Sequence, residues 1–578
     1  METQELENVS QETGSERTES EETVLKETGI KETEPKKRKK QAGIIAGIGA
    51  AAVIAIAGSI FAFIKVTEKD PKEVVIQAFE NIYTDDQVDP AEELFGLSQF
   101  MENASTVDME CGLALTLDSS SSAEIDEFAG SGFKVSGMYD RTNEKTRANV
   151  GMIYKDMDLL NMELYYGENQ LMAAIPEISS RVFFLDLSEG LGKRLQESPV
   201  IGPVLEENGI NGEAIEYYLN ILADEVKSQS QGESSLDLKA AAERFLDGWQ
   251  TREKLKEAMT VEKAEKEVFV VDDKEVTCKG YHVMISKEFM IDFMEGSTDF
   301  FLNDEELKEI YIEQLEQSVK LAELMGEMTS GMSPEQMRED LMDDMTDSIE
   351  EMINYLDKTL NDIDMTVYVD KKGRLAAVNG TTILTAESGE ERDNIQVSFD
   401  MSLQGGSYLT QNMEAEVTMK NESDRADLEI KKQGTYDGTR LTNDISVDVV
   451  FKNQQEYSLG AAYTDTFEAD SGDYHIGASV TANGYLLADL SVTGVVSQLD
   501  KGISAQVDID ELQIVIMNDT GRVTLSGEYY FRPLSKEVKA PKGKEFDLVG
   551  ATEEEWAGLA EEVFLNLLNL LSQLGVEW

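Results

Sequence analysis

The stretch NIQVSFDMSLQ, Asn394 to Gln404, decides the fold. Its apolar residues Ile395, Val397, Phe399, Met401 and Leu403 alternate strictly with polar ones. Successive side chains of a strand point to opposite faces, so this spacing makes a ribbon with one apolar side and one wet, acidic side. The next segment, NMEAEVTMK, repeats the pattern with Met413, Ala415, Val417 and Met419. RADLEIK, DISVDVV, EYSLGAAYT, YHIGASVTA, YLLADLSVT, ISAQVDID, LQIVIMN and RVTLSGEYY continue it. Short turns such as YDG, ANG and NDTG favour hairpins, and no proline occurs between Pro334 and Pro533. Residues 386–550 are therefore predicted to form an antiparallel β-meander, and 551–575 (TEEEWAGLAEEVFLNLLNLLSQL) a final helix packing on the sheet.

Residues 70–385 alternate between sheet and helix. PKEVVIQAFENIY and PAEELFGLSQFMENAS each follow an Asp, which places Asp70 and Asp89 as N-caps with proline at the first helical position. Strand-like runs occupy 107–186, and helical patterns occupy 188–261 and 287–360. Between the two helical blocks, EVFVVDDKEVTCKGYHVMIS reads as two strands with DDK as their turn.

So many amphipathic strands must bury their apolar side, and a flat open sheet of that size would curl, split or need cover. The predicted fold class is α+β. It comprises one or two large curved antiparallel sheets, half-barrel-like, covered on the concave side by the helical insertions and preceded by one transmembrane helix.

That helix is read from KKRKKQAGIIAGIGAAAVIAIAGSIFAFIKV, Lys36 to Val66. Residues 42–64 carry no charge and would span about 34 Å as a helix, against a hydrocarbon core of about 30 Å. Five basic residues from Lys36 to Lys40 precede it, so the N-terminus is expected in the cytoplasm and the bulk of the chain outside, on a single-pass cell-membrane protein. A cleavable signal peptide with Ala55-Ile56-Ala57 as its site is the rival; the long apolar run and the long preceding tail weigh against it. Gly43, Gly47, Ala51, Ala55 and Ser59 recur every fourth position, a spacing that permits homo-association in a membrane. However, 13 of the 23 residues from 42 to 64 are Ala, Gly or Ser, so the stripe is weak support. Residues 1–40, rich in Glu, Thr and Ser, read as a disordered acidic tail ending in the basic cluster.

Charge narrows the function. The chain has 51 basic and 114 acidic side chains; residues 1–64 hold 8 and 11 of them, leaving 43 and 103 beyond. So acidic a surface repels nucleic acid, which is excluded as a partner. DTFEADSGD, Asp465 to Asp473, lacks the spacing of a calcium loop and reads as an acidic loop between strands. Cys111 and Cys278 lie in strand-like segments and read as free thiols, with a bridge as the alternative. His282 and His475 read as structural strand residues. Met342, Met345, Ile349, Met352, Leu356 and Leu360 step by three and four, one helical face for core packing or for an apolar pocket. Copper(I) is a third reading, disfavoured because no His or Cys accompanies them.

Enzyme signatures for Ser hydrolases, phosphate loops, dinucleotide folds and zinc peptidases are missing. Ser131 and Lys134 in GSGFKVSG match S-x-x-K, but on a strand pattern where that nucleophile needs a helix start. Paired carboxylates of the glycosidase kind are defined only in space and stay open. No catalytic, cofactor-binding or metal residue and no cofactor is assigned.

The order of short helices, meander, helical insertion and further meander resembles the bacterial half-barrel families typified by lipoprotein carriers. MTVYVDKKGRLAAVNGTTIL, Met365 to Leu384, is similar to hairpins of Gram-positive extracytoplasmic proteins, and the whole is similar to single-pass ectodomain proteins of Firmicutes-like bacteria. The resemblance is architectural, so it transfers no functional residue. It implies a lipid or other apolar ligand held in the helix-covered concavity of the sheet, and with the missing enzyme signatures the chain is expected to be a non-enzymatic envelope protein. The Met-rich helix and the helix from Trp556 to Leu574 are expected to line that cavity. The alternative is a surface scaffold or adhesion-type protein with a filled core.

Overall fold

The computed structural model describes residues 70–82, 88–231, 238–307, 334–388, 391–517 and 520–573, with a few positions between 308 and 333. It opens with α1 (Pro71–Glu80), α2 (Pro90–Phe95) and α3 (Leu97–Thr106). Asp70 caps α1 by accepting from the Lys72 amide at 3.2 Å, and Asp89 caps α2 by accepting from Ala91 at 2.9 Å. Gly96 joins α2 to α3 at φ +65°, and a Cβ there would lie 2.8 Å from the Gly502 nitrogen, so the joint needs glycine for both shape and space.

Six strands and a single helical turn follow: β1 (Met109–Ser120), α4 (Ala123–Asp126), β2 (Gly132–Asp140), β3 (Lys145–Tyr154), β4 (Met157–Gly167), β5 (Gln170–Ala174) and β6 (Arg181–Asp186). A helical block holds α5 (Leu191–Glu197), α6 (Ile201–Glu207), α7 (Gly212–Gln231), α8 (Leu238–Gly248) and α9 (Thr251–Ala258). The hairpin β7 (Met259–Val271) and β8 (Lys274–Ile285) leads to α10 (Lys287–Asn303) and α11 (Pro334–Thr359).

The meander is β9 (Ile363–Val369), β10 (Leu375–Ser388), β11 (Glu391–Leu403), β12 (Met413–Lys420), β13 (Arg425–Tyr436), β14 (Arg440–Lys452), β15 (Glu456–Glu468), β16 (Asp473–Ala482), β17 (Tyr485–Asp500), β18 (Ser504–Ile516) and β19 (Gly521–Pro533). The short β20 (Lys544–Asp547) and α12 (Glu553–Gln573) complete the described chain.

Local chemistry sets several hairpins. Lys155-Asp156, Glu168-Asn169, Asp272-Asp273 and Asn483-Gly484 all have positive φ at both positions. That geometry matches the twist of paired strands, and Asn, Asp and Gly adopt it at least cost. At the β9–β10 turn, Asp370 Oδ1 accepts from the amides of Lys372 (2.7 Å) and Arg374 (2.9 Å), while Arg374 reaches both Asp370 and Asp272.

The strands form one sheet of 20. Neighbour pairings run from β20 through β6, β5, β4, β3, β2 and β1, cross to β19, then descend in sequence order to β7. All pairs are antiparallel except β6–β20, so the sheet is mixed. The seam is β1 with β19, where Leu113 faces Tyr529 and Leu117 faces Leu525.

These findings correct the expected fold class. The antiparallel sheet or sheets are one mixed sheet, because β1 takes a partner on each edge and β6 takes the parallel β20. The helical cover is partial. Ile353 and Leu356 of α11 pack on Ile291 of α10, and Phe289, Phe293 and Phe300 of α10 pack on Phe245 and Trp249, so these helices bury apolar surface on one another as well as on the sheet. α12 docks at the β6–β20 border, where Leu559 and Trp556 meet Phe546 and Phe183, and Glu562 accepts from the Ser180 amide at 2.7 Å. Among the described residues no helix is long and apolar enough to cross a membrane; residues 42–64, read as a transmembrane helix, and the tail 1–40 lie outside them.

A buried ionic knot ties α1 to α9. Arg252 bonds Glu73 and also Glu80 (2.7 Å), and Lys256 bonds Glu73 at 2.5 Å. Burial pushes the Glu80 carboxyl up to about 7 against the pull of Arg252.

Candidate functional site

The register sorts every strand residue onto one of two faces. On the apolar side, Tyr463 pairs with Ala478, Ala478 with Leu490 and Leu490 with Ile514. A second row runs Val447, Ala461, Val480, Ala488 and Ile516. Across β19, β1 and β2 the same side continues as Tyr529, Leu113 and Val135. Much of this surface is open: Leu459 is 50% exposed, Ile516 46% and Val480 44%.

In β15 to β17 the apolar side is the more open of the two. Tyr457, Leu459 and Tyr463 are exposed, whereas Ser458, Gly460, Thr464 and Thr466 on the other side of β15 are only partly so. Toward β8 to β11 the balance reverses. Val283, Val367 and Val397 are completely buried, and Met365 and Leu403 nearly so.

Three side chains interrupt the apolar side between β12 and β16, where pairing runs without a register shift. Lys432, Asn443 and Asp465 stand in phase with the apolar residues, and they are neighbours. Asn443 Nδ2 donates to the Asp465 carboxylate at 3.0 and 3.1 Å, and the Tyr408 hydroxyl donates to Asn443 Oδ1 at 3.4 Å. The Lys432 ammonium lies 5.2 Å from the centre of the Tyr408 ring. Burial pulls this ammonium below the ordinary lysine range, with Asp465 acting in the opposite sense. Beside the trio a small core of Leu94, Tyr436, Leu441 and Phe467 closes that end of the strands. There the Tyr436 hydroxyl donates to Glu93 at 2.6 Å and is pushed up to about 12, chiefly by burial.

The opposite side carries a polar groove of about 440 Å³ lined by Asp364, Thr366, Asn379, Thr381, Ser398, Asp400, Glu416 and Thr418. Thr366, Asn379, Asp400, Glu416 and Glu429 stand directly across from one another on successive strands. Burial raises the Asp400 carboxyl, helped by Glu414 and Glu267. Glu414, Glu416 and Glu429 come within 4.8 Å of each other, but Lys431 already pairs with Glu414 at 3.3 Å and with Glu429. Adjacent lysines thus face opposite ways: Lys431 is neutralised on the acidic side, and Lys432 has no hydrogen-bond or ion-pair acceptor among the described residues.

Other residues singled out in the sequence are placed as follows. His282 Nε2 is 2.7 Å from Asp364, and His475 Nε2 is 3.4 Å from Ser491 Oγ. Ser131 and Lys134 do not meet as a nucleophile and base: Ser131 Oγ accepts from the Lys155 amide, and Lys134 pairs with Asp158 at 2.6 Å. Cys111 and Cys278 are free, on strands far apart in the sheet order. Burial raises both thiols, that of Cys278 to about 11. Of the Met-rich face, Met342 and Met345 lie outside the described side chains, Met352 is 49% exposed, and Ile353 takes the buried position beside Leu356 and Leu360. The Asp465–Asp473 stretch is mostly strand; Asp465 to Glu468 belong to β15, and Asp473 begins β16.

Sequence reasoning missed the trio, although its signal was present. Lys432, Asn443 and Asp465 each occupy a position where the alternation calls for an apolar residue.

No family model and no curated protein matches the chain. A solved structure of the CymD monoaromatic hydrocarbon channel is similar at 6% identity, covering 80% of this chain and 97% of that one, with a TM-score of 0.15. A score so low lends no support to a shared fold or activity.

Proposed function

We propose that this protein binds the hydrocarbon chains of a lipid or similar amphiphile on the apolar side of β14 to β18, and that it does so without catalysing a reaction. One observation carries the reading: large aliphatic and aromatic side chains stand open to solvent on neighbouring strands β15 to β18, with Val447 and Val449 of β14 partly exposed beside them. Leaving such a surface wet is costly, at about 25 cal/mol per Å² of apolar area, and contiguous exposed patches on folded proteins mark sites of interaction. The rival, a scaffold with a filled core, fits the covered strands β8 to β11 better than these.

Native mass spectrometry of the full-length chain tests the proposal. Bound amphiphile gives a mass above that of the polypeptide, which solvent extraction removes and added lysophospholipid restores. Identical masses before and after extraction, together with no rise in melting temperature on adding lysophospholipid or fatty alcohol, would remove this reading in favour of the scaffold.

A further inference from the structure

Lys432, Asn443 and Asp465 are unlike anything else on the apolar side of β12 to β16. A charged group set into an apolar surface forfeits hydration, and it persists at low cost only where a partner restores the lost interactions. Asp465 has Asn443 as such a partner, with the Tyr463 hydroxyl also interacting with it, and these use part of the carboxylate's capacity to accept. Lys432 has the face of Tyr408 and the through-space attraction of Asp465, but its three donors lack a hydrogen-bond or ion-pair acceptor among the described residues. Its neighbour Lys431, by contrast, is fully engaged by carboxylates on the other side.

We infer that this trio recognises the head of a zwitterionic lipid whose chain lies along the neighbouring apolar rows. The lipid's phosphate would accept from Lys432, and its cationic end would sit against Asp465. The inference rests on the apolar-face reading and adds the class of amphiphile to it.

Three facts favour a zwitterion over a simple anion. Asp465 stands beside Lys432 and repels a second negative charge. The chain as a whole has a formal net charge of −63, which disfavours anionic ligands at a distance. A head bearing both charges also meets both side chains with opposite sign, and such complementarity fixes orientation as well as partner. Position is consistent too. The trio borders the closed end formed by Leu94, Tyr436, Leu441 and Phe467, while Tyr463, Leu490, Ile514 and Ile516 extend away from it as a path for the chain.

The test is titration calorimetry of the full-length protein, below micellar concentrations, with three probes of equal chain length: a lysophosphatidylcholine, the fatty acid and the fatty alcohol. Charge-assisted hydrogen bonds in a partly dry site should make the lysophosphatidylcholine bind roughly tenfold tighter than the alcohol, with the fatty acid no tighter than the alcohol. Lys432→Met should abolish that ratio, and Asp465→Asn, a second variant, should shrink it. Equal binding of all three probes, or a ratio unchanged in Lys432→Met, would overturn the headgroup assignment while leaving the apolar face in place. A fatty acid that binds tightest would replace the zwitterion with an anion and overturn it as well. Failure of every probe to bind would sink the apolar-face reading itself, and this inference with it.

Discussion

The strands β8 to β11 and the strands β14 to β18 are written in the same alternating pattern, yet their apolar sides meet different fates. In the first group Val283, Val367 and Val397 are sealed, and α1 and α11 stand over that end of the sheet. In the second, Leu459, Val480 and Ile516 remain open. Alternation thus specifies which residues share a face, but cover depends on which other elements reach it. Helical blocks flank the β7–β8 hairpin and the second of them leads into β9, whereas β9 to β19 run on with only turns and loops between them, so no local helix is at hand.

The largest effect should come from placing a charge in the sealed group. Val367→Asp buries an unpaired carboxylate and should cost more than about 4 kcal/mol, enough to unfold much of the protein; Leu459→Asp in the open group should cost no more than about 1 kcal/mol. Denaturant midpoints of the two variants measure the contrast, and equal losses would break it.

Next in size is Arg252→Met. It strands Glu80 and leaves Glu73 with Lys256 alone, and should destabilise by about 3 kcal/mol, read from the same denaturant midpoints, since removing one partner of a buried ionic group leaves it uncompensated.

A smaller effect is a pH slope. The Glu80 carboxyl stands near 7 when folded, above its unfolded value near 4.5. Between those values the folded state holds the extra proton, so this group's stabilising contribution is present at the acid end and is lost as pH rises through about 7. Glu80→Gln should flatten that part of the stability profile. An unchanged slope from pH 5 to 8 would remove Glu80 as its source.

The smallest effect concerns the thiols. Cys278 is wholly buried in β8 beside Tyr368, on the side opposite Val283, with its thiol raised to about 11, while Cys111 lies half-buried on β1 in phase with Leu113. Brief alkylation of the native protein should label Cys111 first, by mass spectrometry of the peptides. Reversed order would contradict the burial of Cys278 against the partial exposure of Cys111.

Local elements were legible, whereas the fold class was not: the strands make one mixed sheet. Asp70 and Asp89 announced two helix starts, and Asp272-Asp273 announced a hairpin. The regular phase from Ile395 to Leu403 named the buried side of β11. The candidate site was legible only as an anomaly, since Lys432 and Asp465 break the phase of their strands. Periodicity weighs a run as a whole, so one discordant residue reads as noise until its neighbours across the sheet prove discordant too. The helical stripe failed in another way. Met352 and Ile353 are adjacent, so a stripe through either satisfies the spacing, and contact with Ile291 of α10 selected Ile353.

By itself the sequence determined many of the local conformations, the two-sidedness of the strands and the strongly acidic charge balance. These follow from near-neighbour sterics, from the period of two and from the count of charges, none of which needs a distant contact. Tertiary structure alone decided that β1 joins β19, that β20 lies parallel to β6, and which stretch of the apolar side is left open. Those outcomes depend on contacts between residues hundreds of positions apart, such as Leu113 with Tyr529, and no local pattern encodes which distant strand will complete an edge.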